Sequence, residues 1–155
     1  MRPGQIAHLS LPLAAAALLG ACGTVDGGAV ELSWRLRPEP GPIVTNPSPF
    51  VACDPMQPQT NPIGQIRLTW DVDGQADSTS FPCANGNGVT RFEVPAGEAL
   101  LTVTPVCIGH DADPTTYVTP AAVQRTVKVG DTVSLGAVEL LLRVSSCDLQ
   151  PCICE

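Results

Sequence analysis

The sequence holds few of the residues that carry chemistry in enzymes and metal sites. Its 155 residues include two histidines and two methionines, of which only His110 and Met56 lie beyond residue 21. One methionine cannot form a thioether copper cluster, and a single histidine beside Asp111 and Asp113 needs further partners to hold a metal or act as a general base. No segment resembles the nucleophile elbow of hydrolases. We therefore expect no catalytic centre and no cofactor.

Basic residues are also scarce. Lysine and arginine together number 8, against 15 aspartates and glutamates, which leaves a net charge of −7. Such a surface repels polyanions, because binding to a phosphate backbone depends on clustered Lys and Arg side chains. Nucleic acid and anionic lipid surfaces are therefore disfavoured as partners.

Long apolar runs are absent. A membrane-spanning helix needs about 20 apolar residues, whereas the longest predominantly apolar run, residues 9–19, has eleven and contains Pro12. The run follows Arg2 and the amino terminus, which together form the positively charged flank that is typical of an export signal. This pattern predicts a signal peptide rather than a permanent transmembrane helix.

The end of this run carries a recognisable motif. Leu18-Leu19-Gly20-Ala21-Cys22 resembles the lipobox of bacterial lipoproteins. The resemblance implies that residues 1–21 are cleaved and that Cys22 carries the acyl chains, so that residues 22–28 form a lipidated flexible tether to a membrane. Gly23 instead of aspartate after the cysteine favours the outer membrane of a Gram-negative bacterium. Secretion with cleavage after Gly23, or retention of the apolar N-terminus in the cytosol, are the alternatives.

The seven cysteines are an odd number, which in an exported protein needs an explanation. If Cys22 is acylated, six cysteines remain for three disulfides, and these are Cys53, Cys83, Cys107, Cys147, Cys152 and Cys154. Three of the six lie in the C-terminal tail, residues 145–155, and cannot pair wholly among themselves. At least one tail cysteine must therefore bond to one of the other three, and the remaining pairings stay open.

Alternation of apolar and polar residues indicates strands, and no segment after residue 28 has helical periodicity. The predicted strands cover residues 30–37, 63–72, 89–94, 99–106, 117–118, 123–129 and 138–144. We expect 89–94 and 99–106 to form a β-hairpin, and Asp73-Gly74 to form a turn after the second strand. About seven short strands indicate one domain, residues 29–155, folded as an all-β antiparallel β-sandwich held by disulfides.

Two segments bear on this fold. Residues 38–62 contain eight of the 16 prolines, which favours a surface crossover held by Cys53, with a proline-rich docking segment as the alternative. Residues 92–97, Phe-Glu-Val-Pro-Ala-Gly, and the Leu-Leu-Thr-Val of residues 100–103 resemble a motif of prealbumin-like or carboxypeptidase-regulatory-like extracellular domains. The resemblance implies a β-sandwich and does not by itself imply a function.

Two groups of residues suggest ligand binding, and each has a simpler explanation. Asp71, Asp73 and Asp77 cluster as calcium ligands do, but the spacing departs from the EF-hand loop, which favours a solvated acidic turn. Trp34 and Trp70 could stack on sugars, but both lie on the apolar side of their strands, which favours core packing. We therefore expect a non-enzymatic structural or binding module of the cell envelope with a protein or glycan partner; the alternative is a carbohydrate- or calcium-binding accessory domain.

Overall fold

The part of the chain that the structure describes forms an all-β sandwich of nine strands. The computed structural model describes residues 24–39, 53, 63–143 and 154. The strands are β1 (Gly27–Pro38), β2 (Ile63–Val72), β3 (Gln75–Pro82), β4 (Asn87–Val89), β5 (Val94–Pro95), β6 (Gly97–Cys107), β7 (Tyr117–Val118), β8 (Val123–Val127) and β9 (Thr132–Leu142), and one 3-10 turn covers Cys83–Asn85. The predicted fold class is therefore confirmed.

The strands form two sheets. The first has the order β4-β1-β9-β7, with β5 also paired to β1, and the second has the order β3-β2-β6-β8. Apolar residues alternate along the strands, so that each sheet turns one apolar face to the other. Val30 and Leu140 from the first sheet meet Ile66 and Leu101 from the second in one buried cluster. Burial of each such side chain stabilises the fold by roughly 1.5–3 kcal/mol.

The first sheet is mixed, which corrects the expectation of antiparallel strands throughout. β1 pairs with β9 in parallel, from Ala29 opposite Thr132 to Pro38 opposite Leu142, with a register shift between Glu31 and Ser33. The cause is the path of the chain: β8 is antiparallel to β6, and the turn after β8 delivers the chain to the end of the sandwich at which β1 begins. β9 therefore starts beside the start of β1.

The predicted hairpin of residues 89–94 with 99–106 is wrong. Residues 90–93 interrupt the first of these segments, and its two parts, β4 and β5, pair with β1 in the first sheet. β6 instead lies in the second sheet between β2 and β8. The turn at residues 95–97 passes the chain from one sheet to the other, with Gly97 at a φ of 147° that favours glycine.

β3 was not predicted, although the turn before it was. Asp73 and Gly74 have φ values of 54° and 80°, as the two central residues of a type I′ hairpin turn do. Residues 75–82 then pair with β2 along their whole length. Ala76 and Phe81 are the only nonproline apolar residues among them, so no alternating pattern marked this strand. It lies at the edge of its sheet, where polar residues are tolerated.

Both tryptophans belong to the core, as predicted. Trp34 and Trp70 are 5% and 3% exposed. The indole Nε1 of Trp34 donates a hydrogen bond of 3.0 Å to the carbonyl oxygen of Cys83, and its ring stacks on Phe81 with 6.1 Å between ring centroids. Because the buried indole nitrogen has a partner, burial of the ring leaves no polar group unsatisfied.

Among the described cysteines two disulfides are present, Cys53–Cys83 and Cys107–Cys154. The second joins a cysteine of the C-terminal tail to Cys107, in agreement with the pairing constraint drawn from the cysteine positions. The other predicted disulfide cysteines, Cys147 and Cys152, and the predicted lipidation site, Cys22, lie outside the described residues.

Candidate functional site

The sandwich has two distinct ends. At the proximal end the chain enters at Gly27, whose carbonyl oxygen accepts a hydrogen bond of 2.9 Å from the amide of Gly130 in the turn after β8. At the opposite, distal end Ile63 pairs with Cys107. Both described disulfides lie at the distal end. Cys107 ends β6 there, and Cys83 lies beside the distal half of β1, where its carbonyl oxygen accepts the hydrogen bond from the indole of Trp34.

A cleft lies at the distal end of the sandwich, and we call it the distal cleft. It has a volume of about 660 Å³, opens to solvent and lies where β2 begins and β6 ends. Its lining includes Gln65, Arg67, Ile108, His110 and Asp111, together with Cys53 and Cys107. An open cleft that mixes apolar surface with a few polar groups is the usual form of a binding site.

An ion pair spans one side of this cleft. A guanidinium nitrogen of Arg67 lies 2.9 Å from a carboxylate oxygen of Asp111, and the two side chains are 34% and 72% exposed. Asp111 reaches this position because the chain turns back after β6 and forms an isolated bridge to Val106. A pair this exposed adds at most about 1 kcal/mol to stability. Its main consequence is a fixed positive and negative charge at the mouth of the cleft.

An apolar side chain lies beside these charges. Ile108 is 65% exposed, the most exposed of the large hydrophobic residues that the structure describes. It packs over Gly64, where a Cβ would lie 2.9 Å from an Ile108 side-chain carbon. Gly64 therefore leaves room for Ile108 at the wall of the cleft, and the cleft presents an apolar contact next to a charged one.

The polar cluster at residues 110–113 does not assemble a catalytic group. His110 is exposed, and the two nearby carboxylates have other partners. Asp111 pairs with Arg67, while Asp113 accepts hydrogen bonds of 2.8 Å from the amide and from the hydroxyl of Thr115. The amide bond first, and the hydroxyl bond second, lower the pKa of Asp113 below its usual value. Neither carboxylate is arranged to orient the imidazole as a general base.

The three calcium candidates do not converge. Asp71 accepts a hydrogen bond of 2.9 Å from the amide of Gly74 and so closes the turn. Asp77 accepts one of 2.7 Å from the amide of Ser78 and pairs with Trp70 of the inner face, whereas Asp71 lies on the outer face. Asp73 occupies the turn itself. Across residues 24–39 and 63–143 with Cys53 and Cys154, no group of three or more His, Cys, Asp or Glu side chains could hold a metal ion.

Comparison with known proteins assigns neither a family nor a function to this chain. No family model, curated protein or solved structure matches this chain. The resemblances to bacterial lipoproteins and to prealbumin-like domains therefore stay predictions. Within the described part of the chain, no helix is long and apolar enough to span a bilayer.

Sequence reasoning missed the distal cleft as a site. Arg67 and Asp111 are 44 residues apart in the chain, and they meet only because β2 and β6 are neighbours in the sheet. Ile108 offered the one local signal of an exposed apolar site. It directly follows the last inward-facing residues of β6 and precedes a turn at a glycine.

Proposed function

We propose that this protein is a lipid-anchored module of the cell envelope that binds a protein partner through the distal cleft. Cys22 carries the acyl chains, the proximal end faces the membrane, and the module has no enzymatic activity. The outer membrane of a Gram-negative bacterium is the proposed location. Two or more acyl chains on one cysteine are enough for stable attachment, at about 0.8 kcal/mol per buried CH₂.

One observation carries this proposal: the chain enters the sandwich at the end opposite to the cleft. β1 begins at Gly27, five residues after Cys22, and its 12 residues extend for roughly 40 Å at about 3.3 Å per residue. An anchor at Cys22 would therefore hold the proximal end near the bilayer and turn the distal cleft away from it. A cleft so presented is accessible to another envelope component.

The chemistry of the cleft favours a protein segment over a glycan as partner. Ile108 offers apolar contact, and Arg67 and Asp111 offer one charge of each sign. Stacking on sugar rings needs exposed aromatic side chains. Phe92 is the one aromatic residue classed as exposed in the described part of the chain, and it lies outside the cleft.

The anchor is tested by Cys22→Ser. The native protein should partition into the detergent phase, and its intact mass should show loss of residues 1–21 with gain of acyl chains. The variant should move to the aqueous phase. A native product that lacks acyl mass, or a variant that stays in the detergent phase, would overturn the anchor.

The cleft is tested by site-specific photo-cross-linking in intact cells. A photoreactive amino acid replaces Ile108 in the cleft or, as a control, Val89, which is 58% exposed on the outer face of the first sheet. We expect a discrete protein adduct from position 108 that Arg67→Ala weakens, and none from position 89. Equal adducts at both positions, or no adduct at 108, would contradict a binding role for the cleft.

A further inference from the structure

Exposed apolar side chains gather at the proximal end of the sandwich. Val25 is 45% exposed, Phe92 44% and Val129 55%. Single exposed apolar residues are ordinary on protein surfaces. These three are distinctive because of where they lie, on three separate segments around the point at which the chain enters the fold.

The backbone contacts establish this grouping. Gly27, two residues after Val25, accepts a hydrogen bond from the amide of Gly130, the residue after Val129. On its other side, a Cβ at Gly27 would lie 3.0 Å from the carbonyl oxygen of Phe92. The loops of residues 90–93 and 128–131 therefore flank the start of β1 and carry Phe92 and Val129 to the same end of the molecule.

Both loops are held firmly by the core. Thr90 is 5% exposed; its hydroxyl accepts a hydrogen bond of 2.9 Å from the amide of Val30 and donates one of 2.7 Å to the carbonyl of Arg91. Val94 and Val127, at 0% and 1% exposure, anchor the same two loops in the core. Phe92 is thus displayed by an ordered loop and is not exposed by fraying.

The charge of this end is acidic, as is that of the whole chain. Arg91 and Lys128 adjoin Phe92 and Val129, and in the described residues neither forms an ion pair. The β2–β3 turn and the start of β6 lie at the same end, because Val72 pairs with Ala99 and Gly97 pairs with Val127. The acidic residues at this end therefore outnumber the two basic ones, and they are Asp26, Asp73, Glu93, Glu98 and Asp131. An acidic surface is repelled by anionic lipids, whereas a zwitterionic bilayer exerts little net electrostatic force on it.

We propose that the proximal end docks on the surface of a zwitterionic lipid bilayer, with Val25, Phe92 and Val129 in the interfacial layer. This inference rests on the proposed anchor at Cys22. The five residues from Cys22 to Gly27 span at most about 18 Å, so an acylated Cys22 would keep these side chains next to the lipid. Such tethering raises their effective concentration at the bilayer, and a small apolar contact then suffices.

Fluorescence quenching tests the docking. The acylated protein that begins at Cys22 is reconstituted in phosphatidylcholine vesicles whose acyl chains carry bromine, which quenches nearby tryptophan. Phe92→Trp is compared with Ile108→Trp, a matched control at the distal end, and with Val129→Trp. Trp34 and Trp70 are buried and give a constant background. We expect the added emission to fall by half or more at positions 92 and 129 and to stay unchanged at position 108.

Flotation of the same vesicles separates the two proposals. Protein that fails to float with the vesicles overturns the anchor, and the docking with it. Protein that floats while position 92 and position 129 remain as bright as position 108 overturns the docking alone. Quenching at 108 equal to that at 92 would mean that the domain lies on its side, which also contradicts the docking.

Discussion

At the distal end of the sandwich two disulfides tie the chain together, whereas the proximal end is held by hydrogen bonds and by glycines packed against neighbouring backbone. Cys53–Cys83 and Cys107–Cys154 both lie distally. Proximally, Gly27 and Gly28 fit against β5 and the turn after β8.

This difference follows from how each end is paired. β1 has partners on both sides where it begins, β5 and β9, so regular hydrogen bonding closes the proximal end. At the distal end the short 3-10 turn at Cys83–Asn85 and the loop after Cys107 lie outside the strands. Covalent bonds there restrict the unfolded chain and stabilise the fold without further apolar burial. The two disulfides thereby hold the distal cleft in shape, and this covalent support does not require the cleft residues to be tightly packed.

The largest effect should come from removal of the distal bridges. Cys53→Ala with Cys83→Ala, and Cys107→Ala with Cys154→Ala, open loops of 30 and 47 residues. Each pair should lower the free energy of unfolding by about 3–4 kcal/mol, as the chain-entropy estimate for loops of this length implies. Denaturant unfolding measures the change. A loss below about 1 kcal/mol for either pair would mean that the distal end does not depend on that bridge.

A smaller loss of stability is expected when one glycine at each end of the sandwich is replaced by alanine. At Gly27 a Cβ would overlap the carbonyl oxygen of Val94, a backbone atom that cannot move alone. Gly27→Ala should therefore destabilise the protein by up to about 3 kcal/mol. At Gly64 the closest atom to the Cβ belongs to the exposed side chain of Ile108, and backbone atoms of Ile108 lie only at ordinary contact distance, so Gly64→Ala should cost only about 1 kcal/mol. Equal losses in thermal unfolding would show that the proximal end is no more tightly packed than the distal one.

The hydrogen bond between Thr90 and Val30 tests whether the proximal end is held by hydrogen bonds. Thr90→Val keeps the shape of the side chain and leaves the buried amide of Val30 without its hydroxyl partner. The expected cost is about 1–2 kcal/mol, since an unsatisfied buried donor loses its hydration without compensation. Thr90→Ser retains the hydroxyl and serves as the control. If both variants have the same stability in denaturant unfolding, this bond does not hold the proximal end.

The smallest effect concerns Asp113 in the distal loop. Its pKa is lowered by the amide of Thr115 and, to a lesser degree, by the hydroxyl. A depressed pKa in the folded state favours folding above the ordinary value of about 4, and this contribution is lost as the pH falls through the folded-state pKa. In an NMR titration, Thr115→Val should raise the pKa of Asp113 only in part, because the amide bond remains. An unchanged pKa would show that the hydroxyl of Thr115 does not contribute to the lowered pKa of Asp113.

Much of the fold was predictable because its strands alternate strongly. The central parts of β1, β2 and β6, residues 30–34, 66–72 and 99–105, bury every second residue, and such a pattern reports burial on one face directly. β3 was not predicted because an edge strand buries few side chains, so its sequence does not have to alternate between apolar and polar residues. The predicted hairpin failed because neighbouring strands in sequence are often, but not always, neighbours in a sheet.

The candidate site was far less predictable. The sequence indicated that Trp34 and Trp70 are core residues and that one tail cysteine pairs outside the tail, and both interpretations are confirmed. It gave no sign that Arg67 and Asp111 form an ion pair, since that contact depends on the register between strands far apart in the chain.

The amino-acid sequence by itself determined the class of structure, an all-β layered domain with cysteine cross-links, because local alternation and composition are properties of short segments. Only the tertiary structure decided that β1 and β9 run in parallel, that both described disulfides close the same end, and that the chain enters opposite the distal cleft. These features depend on which strands become neighbours, and this choice is made by the packing of the whole chain.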